Sequence, residues 1–146
     1  MQRVAIAQEQ IESMKADTAI SLLDNAIRSA LSVVYGGSFY AKDAQVASIR
    51  KLIYERSDLI LAAPANFPKG LIIQAVSILR RNTTSIILIP SNNMAKEQSR
   101  IIDQIGGRSL LFDADIKDES KEIELTKNGN YTHIFVIPLL AGTSTF

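Results

Sequence analysis

"LSVVYGG", residues 31–37, decides how this 146-residue chain is read. Val33 and Val34 are β-branched, the run is short and apolar, and Gly36-Gly37 ends it, so it predicts a buried strand feeding a tight turn. From there the pattern alternates. "AKDAQVASIRKLIYERS" (41–57) carries Val46, Ile49 and Ile53 at helical spacing. "DLILAAP" (58–64) is the next apolar run, ended by Pro64, and "PKGLIIQAVSILRR" (68–81) is a helix apolar around most of its circumference. "SIILIP" (85–90) is a third strand. It is followed by the helix "SNNMAKEQSRIIDQIGG" (91–107), with Ser91, Asn92 or Asn93 to cap it and Gly106 or Gly107 to stop it. "RSLLFD" (108–113) and "THIFVIP" (132–138) complete the strands. The charged stretch 114–130 between them reads as an exposed short helix or loop turning at Asn128-Gly129.

Short continuous apolar strands alternating with amphipathic helices predict a parallel sheet covered on both faces. With right-handed crossovers the fold expected is α/β: a Rossmann-like, doubly wound, mainly parallel sheet of about five strands. Residues 1–30 read as a helical N-terminal extension, with Ile20, Leu23, Ile27 and Leu31 on one stripe, and 31–146 as the α/β core of a single domain spanning 1–146.

Apolar residues make up 47% and charged residues 21%, the balance of a chain that folds around a core rather than one that stays disordered. No apolar run reaches the roughly 20 residues of a membrane span. The early polar and charged residues of "MQRVAIAQEQIESMK" do not suit a signal peptide, so a cytoplasmic protein without a membrane partner is expected. The absence of cysteine excludes disulfides, thiolate metal sites and cysteine nucleophiles. His133 is the one histidine and is expected to be structural; no further ligands are spaced to make it a metal site. It lies on the wrong side of its strand to join a Ser–His–Asp set with the loops of the expected binding edge, while Asp113 and Asp115 could bind a divalent ion but are expected to be solvated. With a net charge of +1, nucleic-acid binding would have to come from a local patch. Asp113 and Asp115, with Asp43, are the carboxylates near the expected binding edge, and nothing among them requires catalysis.

In open parallel sheets, ligands bind outside the carboxyl ends of the strands. The loops expected there are rich in Gly, Ser, Thr or Asn, whose backbone amides and hydroxyls suit a phosphate. The phosphate-binding candidates are Gly36, Gly37 and Ser38; Lys69 and Gly70; Asn92; and Gly142, Thr143 and Ser144. Arg80 and Arg81 could add contacts to a nucleic-acid backbone.

The order of these features from about Leu31 to Phe146 resembles the Rossmann-like domain of the DNA-processing protein DprA (Smf). More broadly, it resembles the nucleotide-binding superfamily that includes the lysine-decarboxylase-like LOG phosphoribohydrolases. "SVVYGGSFYAKDAQVASIRKLI" stands at the family's first strand, Gly-Ser-Arg turn and helix, and Lys69-Gly70-Leu71-Ile72 at its Lys/Arg-Gly-Ile-Asp element. "HIFVIPLLAGTSTF" stands at the strand ending in Ser-Gly-Ser/Thr. Phe39 replaces the arginine of the first motif, Ala62-Ala63-Pro64 the Ser-Gly turn, and Ile72 the aspartate. Leu139 and Leu140 occupy the LOG glycine positions, and Phe146 the position of its catalytic glutamate, which argues against that hydrolase. The resemblance implies a non-catalytic module binding single-stranded DNA or nucleotide phosphates, with no particular cofactor specified. The alternatives are an enzyme or sensor for a phosphosugar or nucleotide, and a structural subunit with a degenerate pocket. In the family, a further helix and strand follow the Gly-Ser turn. The sequence stops before them. The expectation is either a sheet edge completed by a second subunit, hence a homo-oligomer, or a reduced domain whose last strand lies at or near an edge, with the N-terminal helix as a possible cover.

Overall fold

Residues 31–35 are helix, not strand. In the computed structural model, which describes residues 1–112 and 119–138 (the side chains of Glu119 and Glu122 excepted), α2 runs unbroken from Ile20 to Tyr35. Its apolar stripe does not end at Leu31. Leu23, Ile27, Ala30, Leu31 and Val34 follow one another at helical spacing and all are buried. Placing Val33 and Val34 in a helix costs about 0.5 kcal/mol each in propensity. Burying one such side chain returns roughly 1.5–3 kcal/mol, so the stripe outweighs the β-branched preference. Gly36 then stops the helix with φ 113°, and its N–H donates to Ser32 O at 2.9 Å. The expected boundary between residues 30 and 31 therefore falls inside a helix.

The chain divides into two compact units, Met1–Arg81 and Asn82–Phe146. The first is built from helices: α1 (Gln2–Glu12), α2, α3 (Asp43–Arg50), a π-helical turn (Lys51–Glu55) that continues α3, and α4 (Gly70–Leu79). α4 buries Leu71, Ile72, Gln74, Ala75, Ser77, Ile78 and Leu79, most of its circumference, as its sequence predicts. Residues 58–64, expected as a strand, pair with none among the described residues. Ile60 in their middle is 96% exposed.

The second unit holds β1 (Ser85–Leu88), α5 (Asn92–Gln104), β2 (Ser109–Phe112), α6 (Glu119–Lys127) and β3 (His133–Val136). The three strands are parallel in the order β1-β3-β2, with Ser85 and Ser109 both level with His133. β3 lies in the middle and all four of its residues are buried, which suits its unbroken apolar run. On one face Ser109 Oγ donates to Asp103 Oδ1 of α5 at 2.8 Å. On the other, Ile123 of α6 and Tyr131 pack against Phe112, Ile134 and Val136.

The chain is thus mixed α/β, with a three-stranded parallel sheet among the described residues. The expected five-stranded Rossmann-like sheet does not form, because the first two apolar runs belong to a helical unit and pair with no strand. Phe135→Ala, which empties the centre of β3, should lower stability by about 3–5 kcal/mol. Ile60→Ser should stay within about 0.5 kcal/mol. Urea unfolding followed by circular dichroism checks both.

Candidate functional site

Three helix ends meet in the first unit. The last turn of α1, the end of the π-helical turn and the end of α4 line a cavity of about 350 Å³. Ile11, Met14, Ala16 and Ile53 give it an apolar part, Tyr54 an aromatic one, Arg56, Arg80 and Arg81 a basic one, and Glu12 a carboxylate.

Each end is tied to another element. Tyr54 donates from its hydroxyl to Ile11 O at 2.9 Å, joining the π-helical turn to α1 and satisfying a terminal carbonyl. Gln8 Nε2 donates to Ile78 O at 2.9 Å and does the same for α4. Arg50 reaches from the end of α3 to Asp24 of α2 at 2.7 Å and to Glu55 at 3.3 Å, bracing the turn from behind. π-helical turns are rare and frequent at functional sites. This one ends on Arg56 in the left-handed conformation, φ 51° and ψ 38°, a placement that costs a residue with a side chain on the order of 1 kcal/mol.

The three arginines are not equivalent. Arg81 pairs with Glu12 at 3.3 Å and lies 3.4 Å from Gln8 Oε1. Among the described residues, the guanidiniums of Arg56 and Arg80 make no hydrogen bond or ion pair. A cation near a helix C-terminus is favourable by about 0.3–1 kcal/mol through the backbone dipoles alone, which accounts for basic residues here but not for an open cavity beside them. Two unpaired guanidiniums at such a cavity can grip an anion in a bidentate fork while the lining takes an apolar or aromatic body.

The residues expected from sequence fall elsewhere. Gly36, Gly37 and Ser38 follow the C-terminus of α2 rather than a strand. A Cβ at Gly36 or Gly37 would meet nothing within 4 Å, so no close backbone approach requires a glycine there, although the φ of Gly36 does. Lys69 and Gly70 begin α4; Lys69 is exposed and its side chain makes no capping bond. These two segments share one neighbourhood through buried polar side chains. Tyr35 donates to Gln74 Oε1 at 2.8 Å, and Gln45 Nε2 donates to Pro68 O at 2.7 Å. Asn92 is the exposed first residue of α5 in the second unit. Gly142, Thr143 and Ser144, with Asp113 and Asp115, lie outside the described residues.

His133 is fully buried at the start of β3, with Nδ1 2.8 Å from Thr132 Oγ1. Among the described residues, no three metal-ligating side chains gather. Arg80 and Arg81 were legible as basic residues after a helix. Arg56 and Tyr54 were not, and the only hint was the charged break "ERSD" after an apolar helix.

Compared with known proteins, the chain matches no protein family and no curated protein.

Burial raises the Tyr35 phenol well above its ordinary value of 10.0, because the ionised form would lose its hydration. A group whose pKa is raised on folding contributes stability in full below its unfolded pKa, and that contribution is lost as pH rises toward the folded one. The urea midpoint of the native chain should therefore fall once pH passes 10.0, and the fall should be smaller in Tyr35→Phe. At neutral pH the same variant should cost about 0.5–1.5 kcal/mol, the net worth of the Tyr35–Gln74 hydrogen bond.

Proposed function

We propose that this chain is a non-catalytic binding module for a phosphate-bearing small molecule of the nucleotide class, held in the cavity between Arg56 and Arg80. The observation that carries this reading is the pair of guanidiniums, unpartnered among the described residues, beside a cavity of about 350 Å³ whose lining is part apolar and part charged. That volume lies within the roughly 300–1,000 Å³ of small-ligand pockets. The Tyr54 hydroxyl is already engaged with Ile11 O, so its ring is what it offers a ligand, and a nucleobase is the natural occupant of such a wall. The charge balance supports an anion: residues 1–81 hold ten Lys and Arg against seven Asp and Glu, whereas residues 82–146 hold six against eight. No helix among the described residues is long and apolar enough to cross a membrane. A cysteine-free chain binding a nucleotide suits the cytoplasm.

The reading keeps the phosphate ligand that the resemblance to DprA implies and places it on arginines rather than on glycine turns. Single-stranded DNA is the second ligand to be tested, and salt separates the two. A mononucleotide releases few ions, whereas a strand neutralised at several phosphates loses affinity steeply as salt rises.

Titration calorimetry with nucleoside mono- and diphosphates, inorganic phosphate and an oligothymidylate, each at two salt concentrations, tests this. Nucleotide binding should saturate at one site. Arg56→Ala and Arg80→Ala should each weaken it about 10- to 100-fold, the range expected for losing a charge-assisted hydrogen bond. Unchanged affinity in the double variant, or no heat from any nucleotide, would reject the cavity as the site.

A further inference from the structure

The edge of the sheet carries a second, independent feature. β1 is bordered by β3 on one side and, among the described residues, by no strand on the other. Ser85 N–H donates to Thr132 O at 2.9 Å and Ile89 N–H to Val136 O at 3.0 Å. Residues 85, 87 and 89 thus address β3, and by the two-residue period of a strand the N–H and C=O groups of Ile86 and Leu88 point the opposite way. The side chains of those two residues are also left open, at 62% and 64% exposure, although they share a face with Ile134 and Val136, which are buried under Ile123 and Tyr131. Two adjacent features, an unpaired backbone edge and an uncovered apolar pair, therefore coincide on one short strand.

Edges of this kind are ordinarily blunted by a lysine, an inward charge or a proline within the strand. Residues 83–89, "TTSIILI", contain none of these, and Pro90 comes one residue after Ile89, too late to block the strand.

We infer that β1 pairs antiparallel with β1 of a second copy of this chain about a two-fold axis through Ile87. In that register, Ile86 exchanges both backbone hydrogen bonds with Leu88 of the partner subunit, and Leu88 with the partner subunit's Ile86. Each open donor then meets an open acceptor, and apolar side chains meet apolar side chains. Charge favours a second copy in particular. A strand carrying a charge would repel its own image across a two-fold axis, whereas residues 83–91 carry none. The strand has four residues, far short of the ~1,600 Å² buried in tight complexes, so the dimer is a weak one that dissociates on dilution.

Equilibrium sedimentation of the full chain tests this. The native chain should show a monomer–dimer equilibrium with a dissociation constant of about 1–100 μM, the range of small transient interfaces. Leu88→Lys, a change at an exposed position that leaves the circular dichroism spectrum intact, should weaken the dimer at least about 10-fold by placing like charges across the axis. Because the chain has no cysteine, Ile87→Cys provides a register probe. Opposed Ile87 positions form a non-hydrogen-bonded pair close enough for a disulfide, so oxidation should give a covalent dimer, and adding Leu88→Lys should suppress it. A native chain that stays monomeric at about 200 μM, or a dimer that Leu88→Lys leaves unchanged, would overturn the proposal.

Discussion

Burial of one helical stripe governs the first unit. Leu23, Ile27, Ala30, Leu31 and Val34 place successive apolar side chains on one side of α2, and hiding that side keeps the backbone helical to Tyr35. The other residues of the helix are positioned as a consequence. Asp24 faces Arg50 and so braces the π-helical turn, and Tyr35 ends where its hydroxyl can reach Gln74 of α4. Had residues 31–35 been extended, the rise per residue would have doubled and Tyr35 would have moved by several ångströms. Neither the Tyr35–Gln74 bond nor the packing beneath it would then exist.

The candidate site follows from how helices end. Every helix leaves carbonyls without intrahelical partners, and a buried end must have them satisfied from elsewhere. Tyr54 and Gln8 do this for α1 and α4 by reaching across from other elements, which draws the ends together around a cavity. Arginines near helix ends meet the negative pole of the backbone dipoles. Glu12 engages Arg81, which leaves Arg56 and Arg80 as the cationic groups able to hold an external anion. A structural need, the satisfaction of helix ends, has thus produced a place where a ligand can be gripped.

The second unit rests on β3. Its four residues are buried on both faces and paired on both sides, so its apolar run and the parallel pairing of its neighbours are mutually consistent. Cover falls away toward β1, where Ile86 and Leu88 are mostly exposed. Three strands give a sheet two edges within a few ångströms of its centre, and how those edges are protected matters more than it would in a wider sheet.

Read alone, the residues pointed to a helix over 68–81, which forms over 70–79, and to a helix over 91–107, which forms over 92–104. They pointed to strands at 85–90, 108–113 and 132–138, which form over 85–88, 109–112 and 133–136. The absence of cysteine also excluded disulfides and cysteine nucleophiles. These features are local: a period sustained over ten residues, or a short β-branched run flanked by turn residues, carries its own signal. Two things were decided only by the tertiary structure. An apolar run of five to seven residues such as 31–37 or 58–64 fits a strand or a helix end equally well, and only the neighbours available to pair with it or bury it settle which it becomes. The cavity brings together Arg56 and Arg80, 24 positions apart, at the ends of different helices. Nothing in the spacing of two arginines announces that convergence, because it is set by the long-range hydrogen bonds of Tyr54 and Gln8 rather than by any local pattern.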